Sequence, residues 1–186
     1  GKLSILTDEL KRQGMPAGTI GIGHTRWATH GAPTTSNAHP HTDRTGRIAV
    51  IHNGIIENAA AIRTLLQKRG HTFTSETDTE VLAHLIGEHY EDSLEDAVVA
   101  ALRDVDGAYG IAVISEDEPD VLVSARNGSP LLVGVGENEW LVASDASAVL
   151  QHTRSVVYLD DGEMAVLTRD GYRVRNLAEA YVEKPV

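Results

Sequence analysis

The stretch that decides the fold reads IAVIHNGIIEN and covers residues 48–58. Its first four residues are apolar, which is typical of a short buried strand. Asn53 and Gly54 come just after this run, where polar groups can be built on a rigid scaffold. Asn58 is a residue type favoured at helix N-caps. The stretch therefore predicts a strand over 48–51, polar groups at its end, and a helix that follows.

Three helices are expected after this stretch. The first has an apolar face and ends at Gly70, a residue that suits the position just past a helix. The second begins with the Thr-Asp-Thr-Glu run at 77–80, which has the pattern of a capping box. The third runs from about Ser93 to Val105, and an upstream amphipathic helix is expected to end near Gly14.

The second half of the chain has the alternation and turn spacing of β-structure. Asp-Gly pairs separate several of the elements. The expected strands there cover 109–114, 121–125, 131–135, 140–143, 156–159, 164–167 and 172–174, and one further strand is expected near the start of the chain, at 19–23. Helices followed by a meander of strands predict one layered α+β domain over residues 1–186.

The composition is that of a globular protein with one substantial core. Hydrophobic residues make up 41% and charged residues 23% of the chain. A net charge of −11 argues against nucleic acid or an anionic membrane as a partner. No apolar run reaches the roughly 18 residues of a membrane span. The 186 residues contain no cysteine, which excludes disulfides and thiolate metal sites within them and fits a cytoplasmic location.

Two polar clusters each admit a functional and a structural interpretation. Arg26 could hold a carboxylate through two parallel hydrogen bonds, or form an ordinary surface ion pair. Trp27 could line a pocket or fill the core. Asn53 and Gly54 could form a type I′ hairpin turn, or could direct an amide and a backbone N–H at a developing oxyanion.

Asp78 and the histidines likewise admit a functional and a structural interpretation. A carboxylate in the first turn of a helix is stabilised by the helix dipole, and Asp78 could instead accept a substrate ammonium. Five histidines lie in a short span: His24, His30, His39, His41 and His52. Neutral imidazole is a common zinc ligand, but the spacing shows no closed ligand motif, so we expect no metal.

Taken in order, these motifs closely resemble one family. The matching runs are His24–Gly31, Asn37–His41, His52–Asn58, Ser75–Glu80, Asp106–Gly110, Ala125–Leu131 and Ala143–Asp145. They resemble the glutaminase domain of the glutamine–fructose-6-phosphate aminotransferases (isomerizing), also called glucosamine-6-phosphate synthases. The resemblance covers nearly the whole chain. The related amidophosphoribosyltransferases share the Asn-Gly element but normally lack the Arg-Trp-Ala-Thr-His run, so they rank behind.

The resemblance implies a class II glutamine amidotransferase of the N-terminal-nucleophile hydrolase type, a four-layer α/β/β/α sandwich. In this family an N-terminal cysteine attacks the side-chain amide of glutamine, with its own α-amine as general base. A thioester forms, ammonia leaves through a channel, and water releases glutamate. Glutamine is thus the implied substrate, with neither a metal nor an organic cofactor.

The resemblance also implies roles for residues at matching positions. Arg26 would hold the α-carboxylate of glutamine and Asp78 its α-ammonium. The Asn53 side chain and the Gly54 N–H would form the oxyanion hole. Three further residues would line and close the pocket: Trp27, Thr29 and His30.

The chain departs from the family pattern at both ends. The strand that carries the cysteine would lie before Gly1, and the sugar-isomerase domains that act on fructose 6-phosphate would lie after Val186. We therefore expect this domain without its first strand to be inactive alone. The parent enzyme is expected to be active and able to form homo-oligomers. The alternatives are a non-catalytic glutamine-binding or protein-interaction module, and a metal-binding protein that uses the histidines.

Overall fold

The computed structural model describes residues 3–26, 31–178 and 181–186. The helices in these ranges are α1 (Leu3–Gln13), α2 (Ala59–Lys68), α3 (Asp78–His89) and α4 (Leu94–Arg103). The strands in these ranges are β1 (His41–Thr42), β2 (Ile48–Ile56), β3 (Gly107–Ser115), β4 (Leu122–Asn127), β5 (Leu132–Val135), β6 (Trp140–Ala143), β7 (Val156–Tyr158), β8 (Glu163–Thr168), β9 (Gly171–Asn176) and β10 (Tyr181–Val182).

The strands form two sheets. The larger has seven strands in the order β1-β2-β3-β4-β8-β9-β10, and the smaller has three in the order β6-β5-β7. Their ladders are antiparallel. Strand β2 pairs with β3 along its whole length, from Ile48 opposite Ser115 to Ile56 opposite Gly107. This long ladder fixes the position of every residue of β2 relative to the rest of the sheet.

The large sheet is buried on both faces. Met164 and Val166 of β8 pack in the core formed with the helices, whereas Ala165 and Leu167 pack in a second core against the small sheet. Alternate residues of a strand point to opposite faces, so both sets must be apolar. The outer face of the small sheet carries the segment around a 3-10 turn at 146–148. A side chain at Gly134 would contact Val149 and Thr153 of that segment. The helices, the large sheet and the small sheet thus follow the expected order of layers, and the segment around 146–148 lies beyond the small sheet.

The helix predictions are largely confirmed. Thr77 accepts a hydrogen bond from the Glu80 N–H at the start of α3, and Ser93 caps α4 in the same way. Asn58 occupies the N-cap of α2 as expected, but its side chain makes no capping hydrogen bond. The Asn58 carboxamide instead bonds the backbone of Asp104 and Asp106 and ties α2 to the turn before β3.

Two strand predictions are wrong. Residues 14–26 have no helix or strand, so the strand expected at 19–23 does not form. Three glycines, at positions 18, 21 and 23, interrupt that segment, and no described strand pairs with it. The strand expected at 48–51 instead continues to Ile56. Asn53 and Gly54 lie inside the ladder, opposite Gly110 and Tyr109. The hairpin-turn interpretation of this Asn-Gly pair is therefore excluded.

Among the ranges that the structure describes, no helix is long and apolar enough to cross a lipid bilayer. The longest, α3, has 12 residues, whereas a span takes about 20.

The packing of α2 against α3 makes a prediction about stability. Leu66 is fully buried and its neighbour Leu65 is 46% exposed. Leu66→Ala should lower the free energy of unfolding by about 2–5 kcal/mol, because it leaves a cavity in the core. Leu65→Ala, the matched control, should change it by about 0.5 kcal/mol or less. Urea denaturation of the three proteins measures both changes, and equal losses would show that α2 packs differently.

Candidate active site

A cavity of about 280 Å³ lies where β2 meets the N-terminus of α3. Arg26, Asn53, Gly54 and Asp78, four of the residues singled out from the sequence, line it together. Its other lining residues are His24, His39, His52, Ile55, Thr77 and Thr79. The cavity therefore presents a cation, an anion and a neutral amide to the same small volume.

Arg26 is held by the loop that follows it. Its guanidinium donates to the backbone carbonyls of Gly31 and Ala32, at 3.2 Å each. Its own N–H donates to Nδ1 of His24 at 2.8 Å, and its φ is 45°. This left-handed conformation is uncommon for a residue with a side chain. Backbone carbonyls thus orient the guanidinium.

Asn53 and Gly54 lie side by side on β2. The Asn53 side chain is exposed to the cavity, and no other side chain or backbone group in the described ranges bonds to it. Gly54 has a φ of 142°, and a methyl group there would overlap the carbonyl group of Ala108 on β3. Glycine is therefore required at this position by the close approach of two backbones.

Asp78 is the first residue of α3 and is 7% exposed. Its Oδ2 accepts a hydrogen bond from the Ile56 N–H at 2.9 Å and lies 3.9 Å from Nδ1 of His52. The position at a helix N-terminus also favours a negative charge. These contacts anchor the carboxylate to β2, so Asp78 and Asn53 are positioned by the same strand.

The loop before α3 is held by a second carboxylate, Glu80. One oxygen accepts from the N–H of Thr74 at 2.8 Å, and the other accepts from the N–H of Ser75 at 2.7 Å. Burial alone would raise the pKa of Glu80, but these hydrogen bonds outweigh burial and lower it. Glu80 therefore stays ionised and fixes the segment that leads into Asp78. The expected capping box is correct for Thr77 only, because Glu80 bonds Thr74 and Ser75 instead of the Thr77 N–H.

Three imidazoles pack edge to face beside the cavity. The ring centroids of His24 and His39 are 4.4 Å apart, and those of His39 and His41 are 5.2 Å apart. Burial, followed by the charges of neighbouring histidines, lowers the pKa of His39 to about 3. Burial likewise lowers the pKa of His24 and of His41. In the described ranges no group of three or more His, Asp or Glu side chains could hold a metal ion.

Three of the predicted site residues, Trp27, Thr29 and His30, lie outside the described residues, so their roles stay predictions. His39, considered above only as a metal ligand, and Thr77, expected only at a helix start, both line the cavity. The His39-Pro40-His41 run was visible as a histidine-rich motif. Its position beside β2 depends on the antiparallel pairing of His41 with Val50, which no local pattern predicts.

This fold and site define a class of proteins. Residues 11–180 match the family described as the glutamine amidotransferase domain, and the chain belongs to that family. Its α+β fold is that of the N-terminal-nucleophile hydrolase amidotransferases, as the sequence motifs implied.

Two curated relatives share about half of their aligned residues with this chain. The glutamine–fructose-6-phosphate aminotransferase (isomerizing) of Chlorobaculum tepidum is 51% identical over 192 residues, which cover 100% of this chain and 31% of that protein. The enzyme of the same name from Methanothermobacter thermautotrophicus is 53% identical over 188 residues, with 100% and 32% covered. The chain thus spans about a third of the length of these relatives.

A solved structure matches the fold at lower identity. The glutamine phosphoribosylpyrophosphate amidotransferase of B. subtilis, solved with ADP and GMP, superposes with a TM-score of 0.71 at 26% identity. The superposition covers 85% of this chain and 35% of that one. The fold is therefore shared with amidophosphoribosyltransferases, whereas the sequence lies nearer the aminotransferases.

The half-buried His39 predicts a dependence of stability on pH. The folded protein keeps His39 neutral down to about pH 3, while the unfolded chain binds a proton near pH 6.5. Acid therefore favours the unfolded state, and the free energy of unfolding should fall as the pH drops from 6.5 towards about 3. His39→Gln should make this fall shallower in denaturation series at several pH values. An NMR titration of the His39 ring with a midpoint near 6.5 would contradict the prediction.

Proposed function

We propose that the cavity binds L-glutamine and forms the substrate and oxyanion part of a glutaminase site. The observation that carries the proposal is that Arg26, Asp78 and Asn53 line one cavity of about 280 Å³. Glutamine carries a carboxylate, an ammonium and a neutral amide, and the cavity presents a complementary group to each. Membership of the glutamine amidotransferase family also supports glutamine as the substrate.

In this proposal Arg26 binds the α-carboxylate of glutamine and Asp78 binds its α-ammonium. The guanidinium is planar and suits a carboxylate that accepts two hydrogen bonds. Asp78 uses Oδ2 to accept the Ile56 N–H, and a carboxylate has further lone pairs for an ammonium. Together the two residues would hold the α-amino-acid end of glutamine and leave its side-chain amide directed at Asn53.

Asn53 and Gly54 would stabilise the charge that develops when the amide carbonyl is attacked. The Asn53 side chain is without a partner among the described groups and can donate from Nδ2. Gly54 lies two residues before Ile56, whose N–H is directed at Asp78. Alternate residues of a strand direct their N–H groups to the same side, so we expect the Gly54 N–H on the Asp78 side of β2. Two fixed donors of this kind form an oxyanion hole.

A cysteine thiol as the attacking group would have to come from outside these 186 residues, which contain no cysteine. We propose a thiol that adds to the amide carbon to form a thioester as ammonia leaves, followed by water that releases glutamate. The names of the two curated relatives support fructose 6-phosphate as the acceptor of the ammonia, in a companion domain. We also propose that the protein is cytoplasmic and can form homo-oligomers.

A non-catalytic glutamine-binding module is the second candidate, because the same 186 residues hold a complementary cavity without a thiol. The two functions share the binding step and differ in chemistry. Glutamine binding therefore tests the cavity, and turnover by a protein that also carries the thiol tests the reaction.

Binding can be measured directly on this chain by isothermal titration calorimetry. Arg26→Ala should weaken L-glutamine binding about tenfold or more, because it removes a charge-assisted contact to the carboxylate. Binding of L-glutaminamide, which has no carboxylate, should change much less. Arg169→Ala, which removes an arginine paired with Asp120, is the charge-matched control. Equal binding of L-glutamine by the parent and the Arg26 variant would overturn the assignment.

Asn53 should act on the transition state. In a longer protein that includes the thiol, Asn53→Ala should lower kcat for glutamine by about two to three orders of magnitude. KM for glutamine should change little, and the reaction with free ammonia should be preserved, since it needs no oxyanion hole. A kcat within about a factor of two of the parent would show that Asn53 has a structural role.

A further inference from the structure

Asn37 is buried, with 2% of its surface exposed, and makes hydrogen bonds with all parts of its carboxamide. Its Nδ2 donates to the carbonyl of Ala32 at 3.0 Å and to Oε2 of Glu76 at 3.2 Å. Its Oδ1 accepts from the Glu76 N–H at 3.0 Å. Asn37 does not line the cavity, so its effect on a ligand has to pass through the groups that it holds.

These hydrogen bonds join two segments that are 39 residues apart in the chain. On one side, the Ala32 carbonyl also accepts from the guanidinium of Arg26 at 3.2 Å. On the other side, Glu76 lies two residues before Asp78, in the loop that leads into α3. One carboxamide thus connects the loop that orients the cation to the segment that positions the anion.

The backbone packs closely around this connection. Gly31 has a φ of 73°, and a Cβ atom there would lie 2.5 Å from Nδ2 of Asn37 and 2.9 Å from Oε2 of Glu76. No side chain fits between the Gly31 backbone and the carboxamide. The two segments are therefore held at a short and defined separation.

We infer that Asn37 is a positioning residue that sets the spacing between Arg26 and Asp78 and thereby the selectivity of the cavity for L-glutamine over D-glutamine. The inference rests on the proposed function and deepens it. An enantiomer is excluded only if three contacts are fixed relative to one another. Asn53 is fixed by β2 and Asp78 by β2 and α3, whereas Arg26 lies in a segment without regular structure. The Asn37 bridge ties the loop that orients Arg26 to the segment before Asp78, and so adds a constraint between the two charges.

The test measures the dissociation constants of L- and D-glutamine for the 186-residue chain and its variants. Asn37→Ala should raise the Kd for L-glutamine about tenfold and bring the two enantiomers closer in affinity. Asn58→Ala is the matched control. Asn58 makes a similar two-ended bridge, to Asp104 and Asp106, but does not line the cavity. Its loss should leave the selectivity unchanged.

A rescue experiment separates positioning from general stability. Asn37→Asp removes both donors and places a carboxylate beside Oε2 of Glu76, so it should lose selectivity as Asn37→Ala does. Adding Glu76→Gln supplies an amide that can donate back across the bridge and should restore part of the selectivity. Glu76→Gln alone should retain it, because Nδ2 of Asn37 can still donate to the amide oxygen.

The outcomes are distinct. Loss of selectivity in the Asn37 variants with rescue by Glu76→Gln supports the inference. A lower unfolding free energy with unchanged selectivity would overturn it and leave Asn37 a structural residue. If the unaltered chain binds no glutamine, the proposed function is overturned, and the inferred selectivity for L-glutamine is overturned with it. NMR of the Arg26 Nε–H in the ligand-free chain gives an independent measure: unchanged guanidinium mobility in Asn37→Ala would overturn the bridge itself.

Discussion

The pairing of β2 with β3 is the constraint on which the rest of this structure depends. Gly54 and Gly107 face carbonyl groups of the opposite strand, those of Ala108 and Ile55, so closely that a side chain at either glycine would overlap them. The two glycines let β2 remain in the ladder up to Ile56. Ile56 in turn donates the N–H that anchors Asp78. The same ladder therefore positions the proposed oxyanion donors and the acidic side of the cavity.

Buried charge is the second organising feature, and backbone N–H groups stabilise it. Asp78 and Glu80 are 7% and 4% exposed in the first turn of α3. An isolated buried carboxylate costs several kcal/mol, and the N–H groups of Ile56, Thr74 and Ser75 offset this cost. Glu80 is surrounded by such donors and holds the loop. Asp78 has fewer protein donors and borders the cavity, which leaves its charge available to a ligand.

Short sequence patterns predicted the helix starts correctly, because a helix start depends on residues that are close together in the chain. Ser93 and Thr77 mark helix starts because their side chains accept from an N–H three residues on. The Asn-Gly pair at 53–54 was ambiguous, because it is also a strong hairpin signal and its place in the ladder is decided by β3, more than 50 residues away. The resemblance to a family resolved that ambiguity. The bridge by Asn37 and the low pKa of His39 depend on contacts between distant segments, and no short motif encodes them.

The cavity combines two kinds of support. Asn53 and Asp78 stand on a strand and a helix, where catalytic geometry is most precisely held, whereas Arg26 stands in a segment without regular structure and is oriented by backbone carbonyls. This division suits the proposed chemistry. Oxyanion donors must be fixed before the reaction, because reorganising them would add to the barrier. A carboxylate clamp contacts the end of glutamine that does not react, so it can stand in a loop whose position is set by hydrogen bonds, those of Asn37 included.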